Sequence, residues 1–243
     1  MSDAVDELPG LPNPEVHHQH RDVSGGWLRP TVFGMMDGLV SNFALIAGVA
    51  GASAASSQVA LAGLAGLVGG AFSMSAGEYI SVQSQNESTQ AELEVERHEL
   101  AHNAEAEMAE LAQMYVERGV DADLATEVAR QLSRDPDQAL VIHAQEELGI
   151  DPTQLPSPVT AAGSSFVAFS IGALLPLLPY SLGATTLWLS AVLSVVMLFL
   201  AGVAASRFTS RSWWFSGVRQ LLFGVLAAAI TYGVGTAFHA TAG

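Results

Sequence analysis

Apolar residues fill five long stretches of this chain: Thr31–Ala52, Gln58–Ile80, Val159–Tyr180, Thr185–Ser206 and Ser216–Phe238. Each reaches or exceeds the roughly 20 residues that a helix needs to cross a bilayer. Between the second and third, the pattern changes to the mixed sequence of a water-exposed unit. There Asn86–Gly119 has no Pro and many helix formers, which predicts one long helix, and Asp121–Ser133 and Pro136–Gly149 predict two more. Residues 1–30 are polar and Pro-containing, with no basic start and apolar core to mark a signal peptide, and predict a disordered tail. The pattern thus predicts an all-α membrane protein with five transmembrane helices and a three-helix cytoplasmic domain inserted between spans 2 and 3. The expected divisions are a tail at 1–30, spans 1 and 2 within 31–80, the inserted domain at 81–155 and spans 3 to 5 within 156–243. Pro176 and Pro179 predict a kink or early exit in span 3, tolerated where neighbouring helices satisfy the freed carbonyls.

Charge sharpens this division. The 243 residues include 24 Asp and Glu against 9 positive residues, all Arg, for a formal charge of −15. Only 14% of residues are charged, about half the usual share for a globular domain, so the charges must be concentrated. Residues 81–155 hold 17 acids and 4 Arg. With no Cys, disulfides, thiolate metal sites, iron–sulfur clusters and Cys nucleophiles are excluded. No basic patch exists to bind nucleic acid, and without Lys there is no phosphate loop of the usual kind. Positive residues near span ends stay on the cytoplasmic side. Arg21 and Arg29 precede span 1, Arg207 and Arg211 lie between spans 4 and 5, and the other short loops carry no charge. That places the N-terminus and the acidic domain in the cytoplasm.

The exceptions inside the spans carry the chemistry. Asp37 is the only charge in span 1 and Glu78 the only one in span 2. A carboxylate at the centre of a membrane helix costs about 2.5 to 3.5 kcal/mol on insertion scales, so it is usually retained for a pathway, a proton relay or a buried partner. Asp37 lies six residues inside its span, about 9 Å deep, and the residue of span 2 at matching depth is Met74. Met74, Glu78, Ser81 and Gln85 share one helix face, as do Asp37, Ser41, Ala44 and Gly48. Where the two faces meet, a thioether and two carboxylates line a narrow polar route suited to a divalent transition metal of intermediate softness. Met74 as core filler and Glu78 reaching back to the interface are the alternatives. Small residues at four-residue spacing, Gly34 and Gly38 in span 1 and Ala62, Gly66 and Gly70 in span 2, predict close helix contacts within a subunit or across a dimer.

In the acidic domain, taking Glu96 as 0° at 100° per residue, Glu99 falls at about 300°, Glu107 at about 20° and Glu110 at about 320°. Leu93, Leu100 and Leu111 fall at about 40° to 60°, so the acidic stripe borders the apolar one and should be partly buried. On one continuous helix Glu96 and Glu110 stand about 21 Å apart, too far for a single ion. Two pairs are expected instead, Glu96 with Glu99 and Glu107 with Glu110. His143 and Glu147 are four apart and face the same way. Oxygen and imidazole ligands without sulfur suit Fe(II), Mn(II) or Zn(II); an acidic solvated helix is the alternative. His98 and His102 point away from the stripe and are taken as surface residues, and His17, His18 and His20 belong to the tail.

The strings HRDVSGGWLRP and FGMMDGLVSNFALIAGVAGA (His20–Ala52), GGAFSMSAGEYISVQSQ (Gly69–Gln85), ERHELAHNAEAEMAELAQMYVERG (Glu96–Gly119) and EELGI (Glu146–Ile150) closely resemble the vacuolar iron transporter family. The resemblance runs from His20 along nearly the whole chain. It implies a homodimer of five-span subunits that exports Fe(II), and often Mn(II), from the cytoplasm in exchange for protons. It also implies a transport route through Asp37, Met74 and Glu78, with Ser41 on the same face as Asp37. The cytoplasmic domain would collect metal through Glu96, Glu99, Glu107, Glu110 and Glu147. Where a family pattern has a Met pair on the third helix of that domain, this chain has His143 and Ala144. The reading is therefore a proton-coupled metal transporter with no permanently bound cofactor, taking Fe(II), Mn(II) or Zn(II) as substrate. The chain, with Arg as its only base and no targeting segment, suits a bacterial cell membrane. One rival is a membrane-anchored metal buffer or sensor without transport. The other, an intramembrane aspartyl protease, needs two paired Asp where the spans supply one.

Overall fold

The computed structural model describes residues 26–207 and 211–242, so the tail histidines and Arg21 lie outside the described residues. The order is α1 (Leu28–Gly51), α2 (Ser56–His102), α3 (Ala104–Glu117), α4 (Ala122–Leu132), α5 (Pro136–Glu147), α6 (Pro158–Ser181), α7 (Leu187–Ser206) and α8 (Trp213–Ala242). Five of these, α1, α2, α6, α7 and α8, are long and apolar enough to cross a membrane. Their limits fall within a few residues of the five apolar stretches, except at the far end of α2.

Glycine sets how the membrane helices pack. α1 lies along α6 so closely that a Cβ on Gly38 would collide with the Phe169 carbonyl, and one on Gly172 with that of Met35. α8 meets α1 at Gly48, Gly51 and Gly235, where the Thr231 hydroxyl donates to the Ala44 carbonyl at 2.6 Å. Gly66 and Gly70 of α2 face Leu45, Asn42 and the Phe169 ring. The small-residue repeats at Gly34, Gly38, Gly66 and Gly70 therefore serve contacts inside the bundle. Around them sit Leu39, Phe43 and Ala47 with Leu198, and Ile46 with Val59, Leu177 and Tyr180. Pro176 and Pro179 both lie inside α6. Ser190 of α7 donates to the Pro176 carbonyl at 2.8 Å, which joins α7 to α6 at this turn.

One boundary differs from expectation. The predicted helix Asn86–Gly119 is not a separate element: its first part continues span 2 as one 47-residue helix, about 70 Å long. Residues 81–102 contain no Gly or Pro, so nothing in the backbone ends the helix where the apolar run stops. It ends at Asn103, whose backbone leaves helical geometry at φ −126° and ψ 31°. The chain then turns into α3.

The end of α2, with α3, α4 and α5, forms the acidic unit. Leu93 packs with Leu140 and Ala144, and Leu111, Ala112 and Ala129 pack with Met108, Tyr115, Leu132 and Ile142. α5 starts sharply because Asp135 accepts from the Asp137 amide at 3.0 Å while Pro136 fills the first helical position. An ion pair between Arg118 and Glu146 ties the end of α3 to α5. The unit returns to the bundle at Pro156, whose carbonyl accepts from Asn86 Nδ2 at 2.9 Å.

Candidate metal centre and membrane cavity

The break at Asn103 folds the acidic stripe back on itself. Glu96 from α2, Glu107 from α3 and His143 and Glu147 from α5 converge, with one ligand atom of each within 4.8 Å of all the others. His143 is fully buried and central: its Nδ1 lies 3.0 Å from Glu96 Oε1, 3.1 Å from Glu147 Oε1 and 3.7 Å from Glu107 Oε2. Its Nε2 is also buried and has no hydrogen-bond partner among the described residues. Glu107 is only 8% exposed, a degree of burial that is rare for an unpaired carboxylate.

Three carboxylates crowded around one imidazole repel one another. Burial first, then the charge of Glu147, raises the Glu96 carboxyl above its ordinary range; Glu107 and Glu110 add to this while His143 opposes it. Burial likewise raises Glu107, followed by the charge of Glu110, with Glu147 and Glu99 adding and His143 opposing. A divalent cation bound among these oxygens and the imidazole would offset both effects, and the donor set suits Fe(II), Mn(II) or Zn(II).

The grouping differs from the two pairs expected from periodicity. Glu96 pairs across the bend with Glu107, and the expected partners stand outside. Glu99 accepts from Asn103 Nδ2 at 2.5 Å, and Glu110 is exposed. The expectation assumed one unbroken helix, on which Glu96 and Glu107 would be about 16 Å apart. His98 and His102 are exposed and their rings stack on each other with centroids 4.0 Å apart, outside the cluster.

The second site is in the bundle. A cavity of about 350 Å³ is lined by Asp37, Ser41 and Asn42 of α1, by Ser73, Met74 and two glycines of α2, and by the Phe169 ring of α6. The Ser41 hydroxyl donates to the Asp37 carbonyl at 2.6 Å, which leaves its oxygen lone pairs available. Glu78 is half-buried one turn further along α2 and is not part of the lining. Asn42 was not picked out in the sequence, although an amide in an apolar span is a signal of the same kind as Asp37.

α2 joins the two sites. Met74, Glu78, Ser81, Gln85, Glu92, Glu96 and Glu99 fall within an arc of about 60° along this one helix. Met74 in the cavity and Glu96 in the cluster are separated by about 33 Å of helix.

Comparison with known proteins agrees in extent with this architecture. A model of the VIT family matches residues 28–236. A vacuolar iron transporter of Acanthamoeba castellanii is 40% identical over 234 residues, covering 89% of this chain and 81% of that protein. Vacuolar iron transporter 1 of Oryza sativa subsp. japonica is 33% identical over 227 residues, covering 91% and 90%. Vacuolar iron transporter 1 of Arabidopsis thaliana is 31% identical over 223 residues, covering 89% and 88%.

Proposed function

This chain belongs to the VIT family and is a multi-pass membrane transporter; on that premise we propose that it exports Fe(II), and also Mn(II), from the cytoplasm in exchange for protons. The observation that carries this reading is the continuity of α2. One continuous helix bears the thioether of the Asp37 cavity near its middle and a carboxylate of the Glu/His cluster near its C-terminal end, joined by a polar face. The cluster collects the dication on the cytoplasmic side and raises its concentration along that face. Asp37, Ser41 and Met74 then replace part of its hydration shell within the membrane, with Glu78 at the approach. Carboxylates vacated by the metal take up protons, which gives a return path for charge.

Asp37 also favours transport over a membrane-anchored buffer or sensor, because an anchor gains nothing from a carboxylate in an apolar span. The active form is a homodimer. Ser41, Leu45 and Ser73 line the cavity yet are exposed in the single chain, so one wall of the route has to come from outside it. The N-terminus and acidic unit face the cytoplasm, a reading supported by the placement of Arg29, Arg207 and Arg211, and the membrane is a bacterial cell membrane.

The test is Fe(II) and Mn(II) uptake into proteoliposomes that contain the purified protein and an internal pH dye. Metal entry with opposing proton movement is the expected result and ranks the two metals. Saturable binding without flux would replace the transporter with the buffer.

A further inference from the structure

The Asp37 cavity is lined by one buried polar side chain with an unpartnered oxygen. Asn42 sits five residues beyond Asp37 in the apolar middle of α1, with 1% of its surface exposed. Burying a carboxamide is costly unless both its ends are satisfied. One end is, because Nδ2 donates to the Ala173 carbonyl of α6 at 2.6 Å. That bond also fixes which way the amide faces: a flip would set two acceptor oxygens against each other. Oδ1 is therefore turned toward α2 and the cavity that Asn42 lines, and it has no hydrogen-bond partner among the described residues.

Gly66 is the second observation. A Cβ at this position would come within 2.8 Å of Asn42 Oδ1 and 2.5 Å of a Leu45 methyl. Glycine lets α2 pack close over this buried oxygen without placing a side chain on it, so a larger residue here would press directly on Oδ1.

We propose that Asn42 Oδ1 is a ligand for the transported dication, the next station past Asp37 on the route through the membrane. This rests on reading the cavity as that route. An immobilised amide oxygen can stand in for a water of a hard or intermediate dication such as Mn(II) or Fe(II). It carries no charge, so an ion handed on from the Asp37 carboxylate gains a ligand without being trapped, as conduction through successive sites requires. The step from Asp37 to Asn42 is about 7.5 Å along α1.

The test is Mn(II) and Fe(II) flux into proteoliposomes carrying the full chain as wild type, Asn42→Leu, Gly66→Ala and Asp37→Asn. Asn42→Leu keeps the number and branching of the heavy atoms and removes the oxygen. Gly66→Ala keeps the amide itself and presses a methyl group against Oδ1 and the Leu45 side chain, which must shift to admit it, so with its folding checked it decides the matter if Asn42→Leu does not fold. Each is expected to cut maximal flux about 10- to 100-fold, as the loss of one hydrogen-bonding group to a charge does. The KM, set where metal enters at Asp37, should stay within about twofold, a change too small to reflect a lost ligand. Wild-type maximal flux in folded Gly66→Ala protein would overturn the assignment while leaving the route intact. Wild-type flux in Asp37→Asn would remove the route itself, and this proposal with it.

Discussion

Glu107 and Glu110 are one helical turn apart on α3, yet one is buried beside His143 and the other is in solvent. Replacing them singly should separate their roles. Glu107→Ala is expected to weaken metal binding by the purified full-length protein about tenfold or more, the scale on which metal sites lose affinity when a supporting group is removed. Glu110→Ala should change it far less, since only a solvated charge is lost. Titration of Mn(II) into both variants checks this, and equal losses would restore the Glu107–Glu110 pair expected from spacing. At this scale the sequence revealed residue types and faces but not partners. His143 and Glu147 were legible as a unit because four residues of a helix bring two side chains together whatever else happens. Glu96 with Glu107 was not, because helical periodicity says nothing across a bend. Asn42 was passed over because an uncharged amide stands out less than a carboxylate in an apolar run.

At the scale of elements, the five spans were legible because the bilayer demands long apolar runs and tolerates few exceptions. The end of α2 was not, since loss of apolar character is no helix stop when Gly and Pro are both absent. What stops the helix is Asn103, and the geometry of the metal cluster depends on that stop. Asn103→Ala removes the side chain bonded to Glu99 and favours a continuous helix by about 0.6 kcal/mol of intrinsic propensity. Packing of Leu111 and Ala112 against α4 opposes straightening. The expected loss of Mn(II) affinity is therefore modest, at most about threefold, although Asn103 is not one of the four clustered residues. A loss as large as that of Glu107→Ala would mean that the bend is held by little else.

For the whole molecule, the metal-free cluster is a source of instability. The folded state holds Glu96 and Glu107 above their ordinary carboxyl value of 4.5, so it binds these protons more tightly than the unfolded chain does. Stability of the metal-free protein should then fall as pH rises from 4.5 through that raised range. Metal competes with the same protons, so affinity should rise across the same window. Thermal unfolding of the metal-free protein in detergent checks the sign. Glu107→Gln should be more stable than wild type at neutral pH and should lose that advantage in acid. A pH-independent difference would show that Glu107 is not strained by its neighbours.

On the proposed route, metal crosses the membrane past Asp37, separately from its collection at the Glu/His cluster. Fe(II) flux through Asp37→Asn in proteoliposomes, measured beside metal binding by the same preparation, tests it most directly. The expected result is that flux is abolished while binding at the cluster is retained. Flux at the wild-type rate would contradict it and place the route elsewhere in the bundle.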